Sequence, residues 1–236
     1  MPLASWNGQT IFFAHVPKTG GSSVEDYLIS RFGPLSIIDT NKRTGVRGTG
    51  LIVPATHLAT VDLAELLPHD LTYSFAVVRD PLERMMSEFR YQSGVSRMSR
   101  LGFSPWLQVM LTAARSEPRL YENHIRPQSD LVPEGAEVFR LEDGFEALIA
   151  RLDEKTGSSM PDLTVPHLNT RTKEPVELSR SDVAAILDYY GADYDRFGYT
   201  RPDLDAYPDR GPTWRHTLAG PLARALVQKQ RRDWVT

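Results

Sequence analysis

Apolar residues occur along this chain in two kinds of run. The short unbroken stretches Ile11 to Val16 ("IFFAHV") and Tyr73 to Val78 ("YSFAVV") are too short for helices and end against Pro17 and Arg79-Asp80-Pro81. They predict strands buried on both faces, the kind a parallel sheet uses. After each one the period changes. Val24, Tyr27, Leu28 and Phe32 recur at helical spacing, and Gly33 stands where a glycine closes a helix. Leu82, Met85, Met86 and Phe89 form a second apolar stripe, with Asp80 as N-cap, Pro81 as first helical residue and Glu83 placed to complete a capping box. The spacing puts Arg84, Ser87 and Tyr91 on the other face of that helix.

The alternation continues. A short strand is predicted at 51–55 ("LIVPA"), a short helix at 61–67, a helix over 104–114 and a strand at Glu137 to Glu142 ("EVFRLE"). Phe145, Leu148, Ile149 and Leu152 mark a helix after that strand. Ser181 is placed to cap another helix, with Val183, Ile186, Leu187 and Tyr190 inward and Gly191 at its end. Strands alternating with helices predict an α/β fold with a mostly parallel central sheet flanked by helices. Residues 200–212 are rich in Pro, Asp and Gly, as linkers are. The expected organisation is a domain over 1–200, followed at 201–236 by a linker and a helical segment packed on the domain or on a partner.

Composition narrows the function classes. The net charge of −3 speaks against a nucleic-acid partner, whose electrostatic footprint is a basic surface, so any anion site must be local. With no cysteine, disulfides, thiolate metal sites and cysteine nucleophiles are excluded. The stretch "MPLASWNGQT" lacks the basic and apolar regions of a leader, and no run approaches the ~18 apolar residues of a membrane span. A soluble, cytoplasmic protein without a transmembrane segment is expected. Oligomeric state is left open.

Two stretches carry chemistry. In "VPKTGGSSVEDYL" (residues 16–28) a lysine, two glycines and three hydroxyls precede a predicted helix. Amides at a helix N-terminus carry partial positive charge, and glycines let a compact anion approach the main chain. Lys18 adds a full charge, and Thr19, Ser22 and Ser23 add hydroxyls, so the loop suits a phosphate or a sulfate. Its order differs from the nucleoside-triphosphate loop, because Lys18 precedes Gly20 and Gly21. The second stretch is "VVRDPLERMMSEFRYQ" (residues 77–92). It puts Arg79 at the carboxyl end of a strand, where α/β sheets open their ligand crevice, and Ser87 two turns into the next helix. A guanidinium fork matches phosphate oxygens.

Taken together, the strand–PKTGGSS–helix and strand–RDPxxRxxS–helix pattern resembles the sulfotransferases that use 3′-phosphoadenosine 5′-phosphosulfate (PAPS). It is closest to the Golgi-type carbohydrate sulfotransferases and their bacterial relatives. "NHIRPQSDLV" (123–132), "PHLNTR" (166–171) and "YYGADYDRFGY" (189–199) resemble later segments of that family, so the likeness spans about residues 10–200. The resemblance implies a P-loop-NTPase-like sulfotransferase fold. It implies PAPS as donor, with Lys18, Thr19, Gly20, Gly21, Ser22 and Ser23 holding the 5′-phosphosulfate and Arg79 and Ser87 the 3′-phosphate. It also implies a hydroxyl acceptor on a small molecule, saccharide or glycoconjugate. Membrane anchors and cysteines usual in the eukaryotic relatives are absent here, which points to the bacterial type.

Sulfuryl transfer depends on positioning and electrostatics, and Lys18 is placed to offset charge on the leaving oxygen. The acceptor hydroxyl needs a base near neutral pH, which suits histidine. Of six histidines, His57 in "PATHLAT" is the first candidate, since the family places a catalytic histidine in this region, although Thr56 stands where the family has glycine. His124 in "ENHIRPQ" is the second. His15 reads as a packed, hydrogen-bonded histidine beside the core, and Glu25 as a complement to the helix dipole. His167 and Asn169 are candidates to line a cleft, and Lys42, Arg43 and Arg47 to bind a charged acceptor. The histidine spacing offers no metal set, and none is expected. Two other readings share the strand–loop–helix logic: a nucleoside-triphosphate-dependent kinase, and a catalytically inactive nucleotide-binding module.

Overall fold

The computed structural model describes residues 1–36, 57–63, 71–95, 101–166, 175–210 and 219–235. The strand expected at 51–55, the basic positions Lys42, Arg43 and Arg47, residues 64–67 of the expected short helix, and His167 and Asn169 lie outside the described residues. The chain divides into two compact units, 1–79 with 128–171 and 80–127 with 172–236.

The first unit is built on a four-stranded sheet in the order β1 (Leu3–Trp6), β2 (Gln9–Ala14), β3 (Tyr73–Val78), β4 (Glu137–Arg140). β2, β3 and β4 run parallel, with Phe13 opposite Phe75 and Val77 opposite Phe139, while β1 runs antiparallel to β2. The architecture is α/β with a mostly parallel sheet, as the alternating runs predict. Helices α1 (Gly21–Phe32) and α5 (Glu146–Thr156) supply Val24, Tyr27, Leu28, Leu148 and Leu152 to a core with Ile11, Phe13, Phe75 and Val77. Phe12, Ala14, Ala76 and Val78, which alternate with those strand residues, are equally buried. This is why both strands read as continuous apolar runs. A short α2 (Thr60–Leu63) follows His57.

The second unit is helical: α3 (Pro81–Val95), α4 (Phe103–Ser116), α6 (Arg180–Tyr189), α7 (Gly191–Phe197) and α8 (Ala219–Val235). Leu82, Met85, Trp106, Met110, Ile186, Tyr190, Ala223 and Val227 share one core. Asp80 Oδ1 accepts the amide of Glu83 at 2.9 Å, so α3 starts as its N-cap signal predicts. Arg84, expected on the polar face of α3, is fully buried, with its Nη2 donating to the His124 carbonyl at 2.9 Å. α6 is capped by Ser179, not Ser181: the Asp182 amide donates to Ser179 Oγ and the Ser179 amide to Asp182 Oδ2, closing a capping box two residues earlier. Gly191 opens α7 instead of ending α6. Among the described residues, no helix is long and apolar enough to cross a membrane.

Candidate functional site

In the first unit, β2 runs into a loop whose backbone is set by two left-handed residues, Lys18 at φ 69° and Gly20 at φ 82°. Such a conformation is strained for lysine and tolerated by glycine. The Gly20 carbonyl accepts the amides of Ser23 and Val24, at 2.9 and 3.2 Å, which starts α1 tightly. The amides of Gly21 and Ser22 then head the helix, as its geometry requires, at the positive end of the dipole. Thr19 is fully buried and its hydroxyl donates to the Val16 carbonyl at 2.9 Å, so this side chain braces the loop from within. Ser22 is half-buried and Ser23 buried.

Gly21 is glycine because of what lies against it. A Cβ there would stand 1.9 Å from His15 Nε2. His15 is held in place from its other nitrogen, with Nδ1 2.7 Å from Glu25 Oε1 and both side chains 7% exposed. The packed, hydrogen-bonded reading of His15 therefore matches its place in the structure. Glu25 faces inward to that imidazole, which is its role in place of the dipole complement expected from sequence. The His57 ring meets the His15 ring edge-on, with centroids 4.9 Å apart, and Thr60 Oγ1 ties α2 to the Asp130 carbonyl at 3.0 Å. His57 thus reaches the start of α1 through His15.

Arg79 leaves the carboxyl end of β3, and its Nη1 donates to the Lys18 carbonyl at 3.5 Å. Arg79 thereby joins the end of β3 to the Gly-rich loop within this unit. Gln128, fully buried, fixes the strand end: its Oε1 accepts the Arg79 amide at 3.0 Å and its Nε2 donates to the Arg79 carbonyl at 2.8 Å. The side-chain amide stands in for a peptide unit of a neighbouring strand. Sequence reasoning noted this glutamine in "NHIRPQ" without its role.

In the second unit, Ser87 is half-buried on α3. On the same helix Glu88 is fully buried, with Oε2 2.9 Å from His124 Nδ1, and the Tyr91 ring stacks on His124 at 5.8 Å. Burial first, then the charges of Glu88 and Glu122, push the Tyr91 phenol above its ordinary value, so it stays protonated at neutral pH. Tyr190, whose phenol burial also raises, donates its hydroxyl to the Ile125 carbonyl at 2.6 Å. Glu88 escaped the sequence reading. The available signal was the polar series Arg84, Glu88 and Gln92, spaced so as to share one helix face.

These features have a counterpart among known proteins. A family model described as the sulfotransferase family matches residues 7–200, a span that contains the Gly-rich loop, Arg79, Ser87, His57 and His124. No curated protein and no solved structure matches the chain. The match extends over most of the chain, through both chemistry-bearing stretches and the mostly parallel sheet that positions the first, so the chain belongs to the sulfotransferase family.

Proposed function

We propose that this protein transfers a sulfuryl group from PAPS to a hydroxyl of a saccharide or glycoconjugate. The approach of Arg79 to the Lys18 carbonyl carries this reading, because it puts a guanidinium beside the N-terminus of α1. The residues of the first unit fit the group: an α-helix start, Lys18 and serine hydroxyls for a phosphosulfate, with Arg79 for the 3′-phosphate. PAPS supplies a sulfuryl group activated by a phosphate leaving group. Lys18 and the amides of Gly21 and Ser22 stabilise negative charge where it grows, and Arg79 fixes the nucleotide end. The acceptor proton passes to a histidine, for which His57 and His124 are the candidates.

The test is thermal melting with 3′-phosphoadenosine 5′-phosphate and, separately, with ATP and magnesium. At 100 times its dissociation constant, a ligand adds about 2.7 kcal/mol, which moves the melting temperature by roughly 5–10 °C for a chain of this size. The bisphosphate is expected to stabilise selectively, and Arg79→Ala to abolish that selectivity. Preference for ATP with magnesium instead favours the kinase reading. Bisphosphate binding with no transfer to a panel of saccharides favours the inactive module.

A further inference from the structure

Within the first unit, α1 starts without the device that ordinarily fixes a helix start. Its N-cap is Gly20, in the left-handed region at φ 82°, and no side chain there accepts an amide of the first turn. A capping hydroxyl or carboxylate normally does that. The fixing contact comes from one turn further on. Glu25 follows Gly21 at helical spacing, so both occupy one face of α1, and that face meets His15, just beyond the end of β2. His15 is in turn held by the sheet: its ring stacks on Phe13 of β2, with centroids 5.4 Å apart, and its amide donates to Met1 Sδ at 3.1 Å. Nδ1 lies 2.7 Å from Glu25 Oε1, while Nε2 and the ring carbons leave Gly21 no room for a Cβ. One imidazole thus touches α1 at both ends of its first turn.

A buried pair of this kind is a poor source of stability. Both side chains are 7% exposed, and the cost of taking a carboxylate out of water offsets most of what its partner contributes, so apolar residues of similar volume would serve a core as well. What such a pair does supply is one geometry. An apolar contact can slide, whereas a 2.7 Å bond to one ring nitrogen fixes both the rotation and the height of the helix. The loop before α1 needs that constraint. Lys18, at φ 69°, holds a conformation that persists only where its surroundings enforce it. Thr19 braces the loop from within, and the His15–Glu25 pair fixes the helix that follows it.

We infer that His15 and Glu25 are positioning residues for the donor: they latch the first turn of α1 to β2 and so hold the Gly21 and Ser22 amides in the arrangement that takes the 5′-phosphosulfate. The inference rests on the function proposed above, and both residues act through the backbone, without touching the ligand. Amides ordered in advance bind an anion more tightly, because none of that ordering is left to occur on binding. The latch therefore acts on the part of the nucleotide that meets α1 and leaves the rest unchanged.

The experiment is calorimetric titration of the full chain with two nucleotides that differ only at that point, 3′-phosphoadenosine 5′-phosphate and adenosine 3′-monophosphate, which lacks the 5′-phosphate. Wild type is expected to prefer the bisphosphate. Glu25→Ala is expected to weaken the bisphosphate about 10-fold and leave the monophosphate unchanged, and Glu25→Gln, which can still bond to Nδ1, to recover most of the loss. A general loosening of the fold weakens both ligands alike; that result overturns the inference, as does a folded Glu25→Ala with the wild-type preference. If Glu25→Ala does not fold, Glu25→Asp decides, since its carboxylate stops one methylene short of His15. Partial loss of preference is expected there, and full wild-type preference overturns the latch. A wild type that binds the two nucleotides equally overturns the phosphosulfate reading of the loop, and the latch with it.

Discussion

Gly21 shows how one missing carbon organises a site. The imidazole beside it is buried and tied to Glu25, so it has little freedom to retreat from a new methyl group. Gly21→Ala is therefore expected to destabilise the protein by about 2–3 kcal/mol, through overpacking and a weakened His15–Glu25 pair, as measured by urea denaturation. In a His15→Ala background the same change should cost clearly less, a coupling that a double-mutant cycle detects. The loop was legible in sequence as a candidate anion site because lysine, glycine and hydroxyls fall next to one another there. The partners that orient side chains were not. Glu88 and His124 are 36 positions apart, and the burial of Arg84 follows from carbonyl and aromatic neighbours that no local pattern announces.

Among the elements, β3 owes the geometry of its carboxyl end to a side chain from outside the sheet. Gln128→Leu would leave the amide and carbonyl of Arg79 without the partners they now have. The expected loss is about 2–4 kcal/mol of stability, together with weaker binding of 3′-phosphoadenosine 5′-phosphate in a calorimetric titration. β2 and β3 were readable from sequence because strands buried on both faces leave unbroken apolar runs. β1 was not, since four residues, "LASW", carry too little pattern. Its signal was the Asn7-Gly8 pair, whose φ values of 46° and 78° suit the two-residue hairpin turn that returns the chain to β2. The start of α6 was misplaced for a similar reason: three serine and acidic positions compete near it, and only the reciprocal bond to Asp182 selects Ser179.

At the scale of the molecule, each unit joins two segments separated in sequence, and α8 belongs to the second core as fully as α3 does. Val227 is 7% exposed there, while Leu222, on the same helix, is 38% exposed. Val227→Ala is expected to remove roughly 2 kcal/mol and lower the melting temperature by about 4–8 °C, against less than about 0.5 kcal/mol for Leu222→Ala. The same interleaving governs how the protein is made. As the nascent chain leaves the ribosome, Phe13, Phe75 and Val77 are synthesised well before Leu148 and Leu152, which complete their core, and Trp106 and Met110 well before Ala223 and Val227. Translation proceeds at about 5–20 residues per second, so apolar surfaces of both units stay open for seconds, and neither core can close by folding in step with synthesis. Biosynthesis of this chain thus leans on whatever shields exposed apolar surface during elongation, a demand created by the order of its segments.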